Sequence, residues 1–248
     1  KVLGGSSSIN GMMWVRGNPG DYDHWAQLGC RGWSYEGVLP YFKSAETNEG
    51  GASATRGDQG PQPASFLRLR HKLTDPFIKA TTKLGHPFNP DQNGEAQEGV
   101  GPCQTSQKNG LRFSAASAFL KPVLNRPNLE VRTKAAVSRI MVKDDRATGV
   151  EYRWEGQNLA TLARREVIVS AGAIASPKLL LLSGIGPADH LHEQGIRVVR
   201  DLPEVGRNLQ EHPCIMITRG SRVSTLNTET RWWRAPFHAL RFLLTRRG

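Results

Sequence analysis

An α/β fold is predicted by three observations along the 248-residue sequence. Near the end of the second third, the β-branched run Val167-Ile168-Val169 enters a turn of small residues, Ser170-Ala171-Gly172-Ala173, and then an apolar helix through Leu179-Leu180-Leu181-Leu182. Upstream, segments 129–133, 136–142 and 147–152 alternate apolar and polar residues with the period of a half-buried strand. The first 85 residues instead carry helix start and stop signals.

In chain order, Asn18-Pro19-Gly20-Asp21 reads as a turn, and residues 21–28 as a short helix capped by Asp21 and closed at Gly29. Residues 33–46 form a second helix whose apolar side is Val38, Leu39, Tyr41 and Phe42. The Gly-rich, polar stretch 48–63 is a loop. Asp75, Pro76 and Gly85 mark the ends of a third helix, and residues 87–101 make another polar loop. Asp144-Asp145 turns one alternating segment into the next, giving a β-meander that continues through Thr161-Leu162; Val167-Ile168-Val169 follows as a buried strand. Ser176-Pro177 then supplies an N-cap and a proline at the first helical position, and the helix stops at Ser183-Gly184.

Composition narrows the class. Hydrophobic residues make up 38% of the chain and mean hydropathy is −0.46, values of a soluble globular protein. The apolar run at 179–182 falls far short of the ~20 residues a membrane helix needs, and the start lacks the layout of a signal peptide. Cys30, Cys103 and Cys214 are odd in number and far apart, so neither a zinc cluster nor a disulfide framework is indicated, and a reducing, cytoplasmic setting fits, with association to a membrane surface as the alternative. Formal charge is +11. The cations are scattered except for Arg231, Arg234, Arg241, Arg246 and Arg247, and no aromatic and basic interleaving resembles an RNA-binding motif, so no nucleic-acid partner is expected.

Two stretches carry chemistry. Gly4-Gly5-Ser6-Ser7-Ser8 is either a linker or a cradle that brings main-chain N–H groups against a phosphate or a ring system. Its apolar continuation, Ile9-Asn10-Gly11-Met12-Met13-Trp14-Val15-Arg16, argues for a packed segment. The strand–turn–helix unit around Ala171 and Gly172 lets backbone approach an anion at a helix N-terminus, although tight strand-to-helix packing also favours small residues.

Four stretches, in order, resemble the glucose-methanol-choline (GMC) family of flavin oxidoreductases. They are KVLGGSSSINGMMWVRG (1–17) with Asp21-Tyr22-Asp23-His24-Trp25; GLRFSAA (110–116); SAGAIASPK (170–178) through Ser183-Gly184-Ile185-Gly186; and VGRNLQEH (205–212). The likeness covers essentially the whole chain and is strongest toward choline-dehydrogenase-like members. It implies an α/β protein in which an incomplete Rossmann-like FAD-binding domain (1–58 and 95–186) is interleaved with an antiparallel-sheet α+β substrate domain (59–94 and 187–248).

By the same resemblance, Val2, Gly4, Gly5, Ser6 and Ser7 lie along the flavin, and Asn10, Gly11, Met12 and Met13 lie beside its ring system and ribityl chain. Val137 meets the adenine, and Ala171 and Gly172 approach the pyrophosphate. Ile9 occupies the position where some members attach FAD through a histidine, which implies FAD held non-covalently. The reaction implied is oxidation of a primary alcohol by hydride transfer to flavin N5, with a quinone, another carrier or oxygen as electron acceptor. An oxidase, a hydroxynitrile lyase or a non-catalytic basic remnant are the alternatives.

Family members begin with a GxGxxG turn and end with a segment carrying a catalytic histidine. Neither motif stands in this sequence, so a fragment inactive on its own is expected. No catalytic residue and no metal ligand is therefore assigned: His24, His71, His86, His190, His192, His212 and His238 all fall outside that segment, and His190 and His192 point to different helix faces. Trp232-Trp233 reads as a packed helix start.

Overall fold

A computed structural model describes residues 1–229 and 232–246. Helices and mixed sheets divide into two compact units, Lys1–Leu129 with Arg219–Gly248, and Glu130–Thr218.

In the first unit, helix α1 (Pro19–Gln27) starts at Asn18, whose side chain accepts the Gly20 N–H at 2.9 Å. The cap is thus Asn18 rather than Asp21, because Pro19 has no N–H to lose and its fixed φ starts the helix there. Helix α2 (Tyr35–Ala45) is capped by Ser34, and Asp23 of α1 accepts the Tyr35 N–H at 2.9 Å, which joins the two helices. The Tyr22 ring packs on Trp25, Tyr35 and Phe42. Strand β1 (Glu46–Asn48) pairs in parallel with β2 (Gln62–Phe66), which pairs antiparallel with β3 (Gln104–Thr105). The predicted loop 48–63 therefore shrinks to the residues between the first two strands. Helix α3 (Thr74–Lys83) ends before Gly85 at φ +95°, as read from the sequence. A tight hairpin, β4 (Gln107–Lys108) and β5 (Leu111–Arg112), turns on Asn109 and Gly110, both at positive φ.

Polar residues fill much of this unit's interior. Buried with Val38, Ala64, Ala116 and Ala118 are Glu46, Arg56, Gln62, Asn89, Asn93, Gln104 and Gln107, so loops 49–61 and 87–101 are fixed by hydrogen bonds more than by apolar packing.

The second unit is built on the predicted meander: β6 (Ala136–Lys143), β7 (Arg146–Trp154) and β8 (Gln157–Leu162), antiparallel throughout. Both of its turns have two residues at positive φ, Asp144-Asp145 (51° and 57°) and Glu155-Gly156 (49° and 80°), the geometry that matches the twist of the strands they join. Helix α4 (Ala175–Leu182) lies on β6, where the buried Ser183 hydroxyl accepts the Ile140 N–H at 2.8 Å. Strand β9 (Ile185–Gly186) pairs in parallel with β10 (Arg200–Asp201), and helix α5 (Ala188–Glu193) buries Leu191 completely. The chain then returns to the first unit with α6 (Leu226–Glu229) and α7 (Ala235–Thr245).

Several expectations are corrected. Residues 129–133 form no strand. There Arg132 lies over the Tyr152 and Trp154 rings, 5.8 and 5.1 Å from their centroids, and side-chain anchoring stands in place of a ladder. Val167-Ile168-Val169 is neither paired nor buried, with Ile168 78% exposed, since a β-branched run becomes a strand only where a neighbour takes up its backbone bonds. Ser176 does not cap α4; the helix begins after Ile174, and the Ser176 hydroxyl instead accepts the Ala171 N–H at 3.0 Å. Residues 9–16 are not packed as a block: Trp14 and Arg16 turn inward while Met13 and Val15 stay exposed, the alternation of an extended chain on a surface. Trp232 and Trp233 are exposed rather than packed. Of the arginine cluster, Arg231 and Arg247 lie outside the described residues, and Arg246 stacks on Phe242. Among the described residues no helix is long and apolar enough to cross a membrane.

Candidate cofactor-binding site

The glycine-serine stretch folds as a turn and a single 3-10 turn, Gly5–Ser8, made possible by Gly4 at φ +91° and Gly5 at φ +56°. Two of its hydroxyls hold the loop: Ser7 donates to the Gly4 carbonyl and accepts the Ala115 N–H at 2.9 Å, and Ser8 donates to the Leu3 carbonyl at 2.9 Å. Arg112 is the main anchor. Its guanidinium donates to the Ser7 carbonyl at 3.0 Å, to the Asn10 carbonyl at 2.7 Å and to Asn10 Oδ1 at 2.9 Å. Asn10 Oδ1 also accepts the Met12 N–H at 3.0 Å, which shapes the bend that puts Met12 at φ 63°. Beyond it, the Met12 carbonyl accepts the Ser106 N–H at 2.8 Å and Met13 bridges to Thr105.

Behind this strip sits a charged hub. The fully buried Glu46 carboxylate accepts from Arg56 Nε at 2.9 Å and Nη2 at 3.2 Å, from Trp14 Nε1 at 2.8 Å, from the Gly57 N–H at 3.1 Å and from Arg16. Arg56, 1% exposed, goes on to Asp91 at 2.5 Å and Gln104 Oε1 at 2.7 Å. Asn93 clamps the same strip from the side, donating to the Trp14 carbonyl at 2.8 Å and accepting the Arg16 N–H at 2.7 Å. Burial pushes the Glu46 carboxyl up, but the bonds from Arg56, Trp14 and Gly57 and the charge of Arg16 outweigh it and hold the carboxyl below the ordinary carboxylate range. Glu46 is therefore an anion, fully paired, and two of its donors belong to the strip.

In the second unit, Ala171 and Gly172 (φ +93°) form the turn that leads to α4, locked by Ser176. Beside it opens a cavity of about 470 Å³ between Ala173, Ile174 and Lys178 on one side and Gly206, Arg207 and Asn208 on the other, so the third and fourth motif stretches meet in space. Val137 stands on β6, 44% exposed. Nine of the twelve candidate residues thus share one surface strip of the first unit, and Val137, Ala171 and Gly172 lie in the other unit.

Taken separately, the strip of the first unit has room for a planar ring system and the turn of the second has features that suit an anion. A Cβ added at Gly5, Gly11 or Gly172 would meet no atom within 4 Å, so each glycine faces open space, and Val2, Leu3, Ile9 and Met13 beside the first two are exposed apolar groups that a ring system would cover. The basic Lys178 and Arg207 and the start of α4 suit an anionic group. Ile9 offers no nucleophilic nitrogen.

The glycine turn at 4–5 and the small-residue turn at 171–172 were legible from the sequence as backbone features; Glu46, Arg56, Asn93 and the anchoring role of Arg112 were not. Glu46 reads as the end of a helix and Arg56 as one cation in a polar loop, and only the run GLRFSAA (110–116) pointed near Arg112.

Solved flavoenzymes share this fold. An FAD-dependent oxidoreductase from Chaetomium thermophilum superposes with a TM-score of 0.90 at 30% identity, over 100% of this chain and 46% of that one. Pyridoxine 4-oxidase from Mesorbium loti superposes with a TM-score of 0.79 at 34% identity, over 84% and 41%. The family profile described as GMC oxidoreductase matches residues 1–214, and the chain belongs to that family of FAD-dependent oxidoreductases. Among curated relatives, the oxygen-dependent choline dehydrogenases of Brucella ovis and Sinorhizobium medicae are 51% and 48% identical over 213 and 212 residues. Each alignment takes in 86% of this chain, which spans 38% of the length of those relatives.

Proposed function

We propose that this chain supplies the flavin cradle of an enzyme that oxidises a primary alcohol, and that Val2, Gly4, Gly5, Ser6, Ser7, Asn10, Gly11, Met12, Met13, Val137, Ala171 and Gly172 contact FAD through their main chains. The observation that carries this reading is the open glycine-lined strip pinned by Arg112. FAD, when bound, accepts the two electrons and the hydride of the alcohol carbon. The residues of this chain bind and orient it: Arg112 fixes the loop, the Glu46–Arg56 hub fixes the strip behind it, and the apolar side chains exclude water from the ring face. On this reading residues 1–58 and 95–186 serve FAD and residues 59–94 and 187–248 serve the substrate. Unpaired thiols at Cys30, Cys103 and Cys214 suit a cytoplasmic setting. The curated relatives are named oxygen-dependent, so oxygen is the first acceptor to test, before a quinone or another carrier.

The purified protein that carries this chain is expected to be yellow, and acid or heat precipitation is expected to release intact FAD into the supernatant, because Ile9 provides no attachment point. Anaerobic addition of a primary alcohol should then bleach the flavin of the native protein. Flavin that stays with the precipitate, or a flavin that no alcohol reduces, contradicts the respective half of this reading.

A further inference from the structure

A second cavity, of about 670 Å³, opens in the first unit against the same strip, with Gly11 and Met13 as part of its wall. Residues of segments 66–69 and 101–105 complete it, and Phe66, Leu67, Leu69 and Cys103 give it apolar wall, with Leu67 56% and Met13 68% exposed. Hydrocarbon left to water on a concave surface gains from an apolar guest.

Its charges are already spent. The cation on the wall, Arg70, is ion-paired with Asp75 next to the cavity, and among the described residues no carboxylate lines the wall. Burial pushes the Cys103 thiol up, so it stays neutral and offers no thiolate to a cation. Phe66 is the single aromatic ring on this wall. A quaternary ammonium group is recognised by a cage of aromatic faces, and one ring among the described lining residues is not a cage, while the nearby carboxylate, Asp75, is already paired with Arg70.

We infer that this cavity takes the aliphatic tail of an uncharged primary alcohol, in preference to a cationic alcohol such as choline. The inference rests on the reading of Asn10 to Met13 as the flavin-facing strip.

The test uses the native flavoprotein and two independent readouts. In the first, N-ethylmaleimide alkylation is followed by peptide mass spectrometry at Cys103, with the exposed Cys30 and Cys214 as internal controls. 1-Octanol is expected to slow labelling of Cys103 severalfold, 1-hexanol to slow it less, and choline to leave it unchanged, with no effect at the two controls. In the second, kcat/KM is expected to rise about fourfold per methylene from 1-butanol to 1-hexanol and to exceed the value for choline. Leu67→Glu, a change at an exposed wall position, should reverse the order by weakening octanol and favouring choline.

Protection of Cys103 by choline and not by octanol, or by neither, overturns the inference. So does turnover of choline with no gain along the alkanol series, and this result leaves the flavin-dependent alcohol oxidation standing. Protection by octanol with a flavin that no alcohol reduces has the opposite meaning: the cavity assignment holds and the proposed reaction falls.

Discussion

Replacing Arg56 with leucine is expected to cost the protein about 3–5 kcal/mol of unfolding free energy, because it strands a buried carboxylate whose principal partner is gone. Glu46 is wholly inaccessible to solvent and Arg56 nearly so, and the guanidinium makes two bonds to Glu46, one to Asp91 and one to Gln104. Trp14, Arg16 and the Gly57 N–H remain as donors, which is why the loss is not larger. Denaturant titration at neutral pH measures it, and the double variant Arg56→Leu with Glu46→Gln should recover part of the loss by removing the stranded charge. Unchanged stability in Arg56→Leu would show that the hub is solvated. The pH dependence has a definite sign. Glu46 has a folded pKa below its ordinary value, so its contribution is complete above an unfolded carboxylate pKa of about 4.3 and disappears as pH falls through the lower folded value. The stability gap between the native protein and Arg56→Leu is therefore expected to narrow on acidification, as protonation discharges the stranded carboxyl.

The second large effect concerns the cofactor rather than the fold. Arg112→Ala removes three hydrogen bonds to Ser7 and Asn10, two of them to carbonyl oxygens of the cradle. Bonds to a charged group contribute about 1.5–3 kcal/mol, and every 1.4 kcal/mol is tenfold in affinity. FAD affinity is expected to fall on the order of 10- to 100-fold, measured by flavin fluorescence on dilution, with a much smaller change in the unfolding midpoint because Arg112 sits at the edge of the unit. Arg112→Lys should restore only part of the affinity, since one ammonium cannot span the Ser7 carbonyl and both oxygens of Asn10. Equal loss of affinity and stability would mean that Arg112 supports the unit as a whole.

What could be read from the sequence divides by range. The meander was legible because alternation and the Asp144-Asp145 turn are signals within ten or so neighbouring residues, helix α2 because its apolar side recurs within a few residues, and α3 because Asp75, Pro76 and Gly85 stand at its ends. The site motifs were legible for a related reason: glycines at positive φ and small residues before a helix are local requirements. Long-range pairings left no such mark. Glu46, Arg56, Asp91 and Gln104 come from four segments with no shared periodicity, and only the folded chain shows that they form one cluster. The strand expected at 167–169 failed in the other direction, since its composition is that of a buried strand while its backbone bonds find no neighbouring strand.

The two turns of the meander also set an order of events. Strands β6, β7 and β8 are joined by two-residue links, so their pairing closes only short loops and forms as soon as residue 162 is available. The Glu46 cluster needs Gln104 and Trp14 together, a closure across most of the first unit. During synthesis every residue of the Glu46 cluster leaves the ribosome before the meander does, yet the cluster must close a far longer loop than strands that pair with their immediate neighbours, so being made first does not make it the easier part to close.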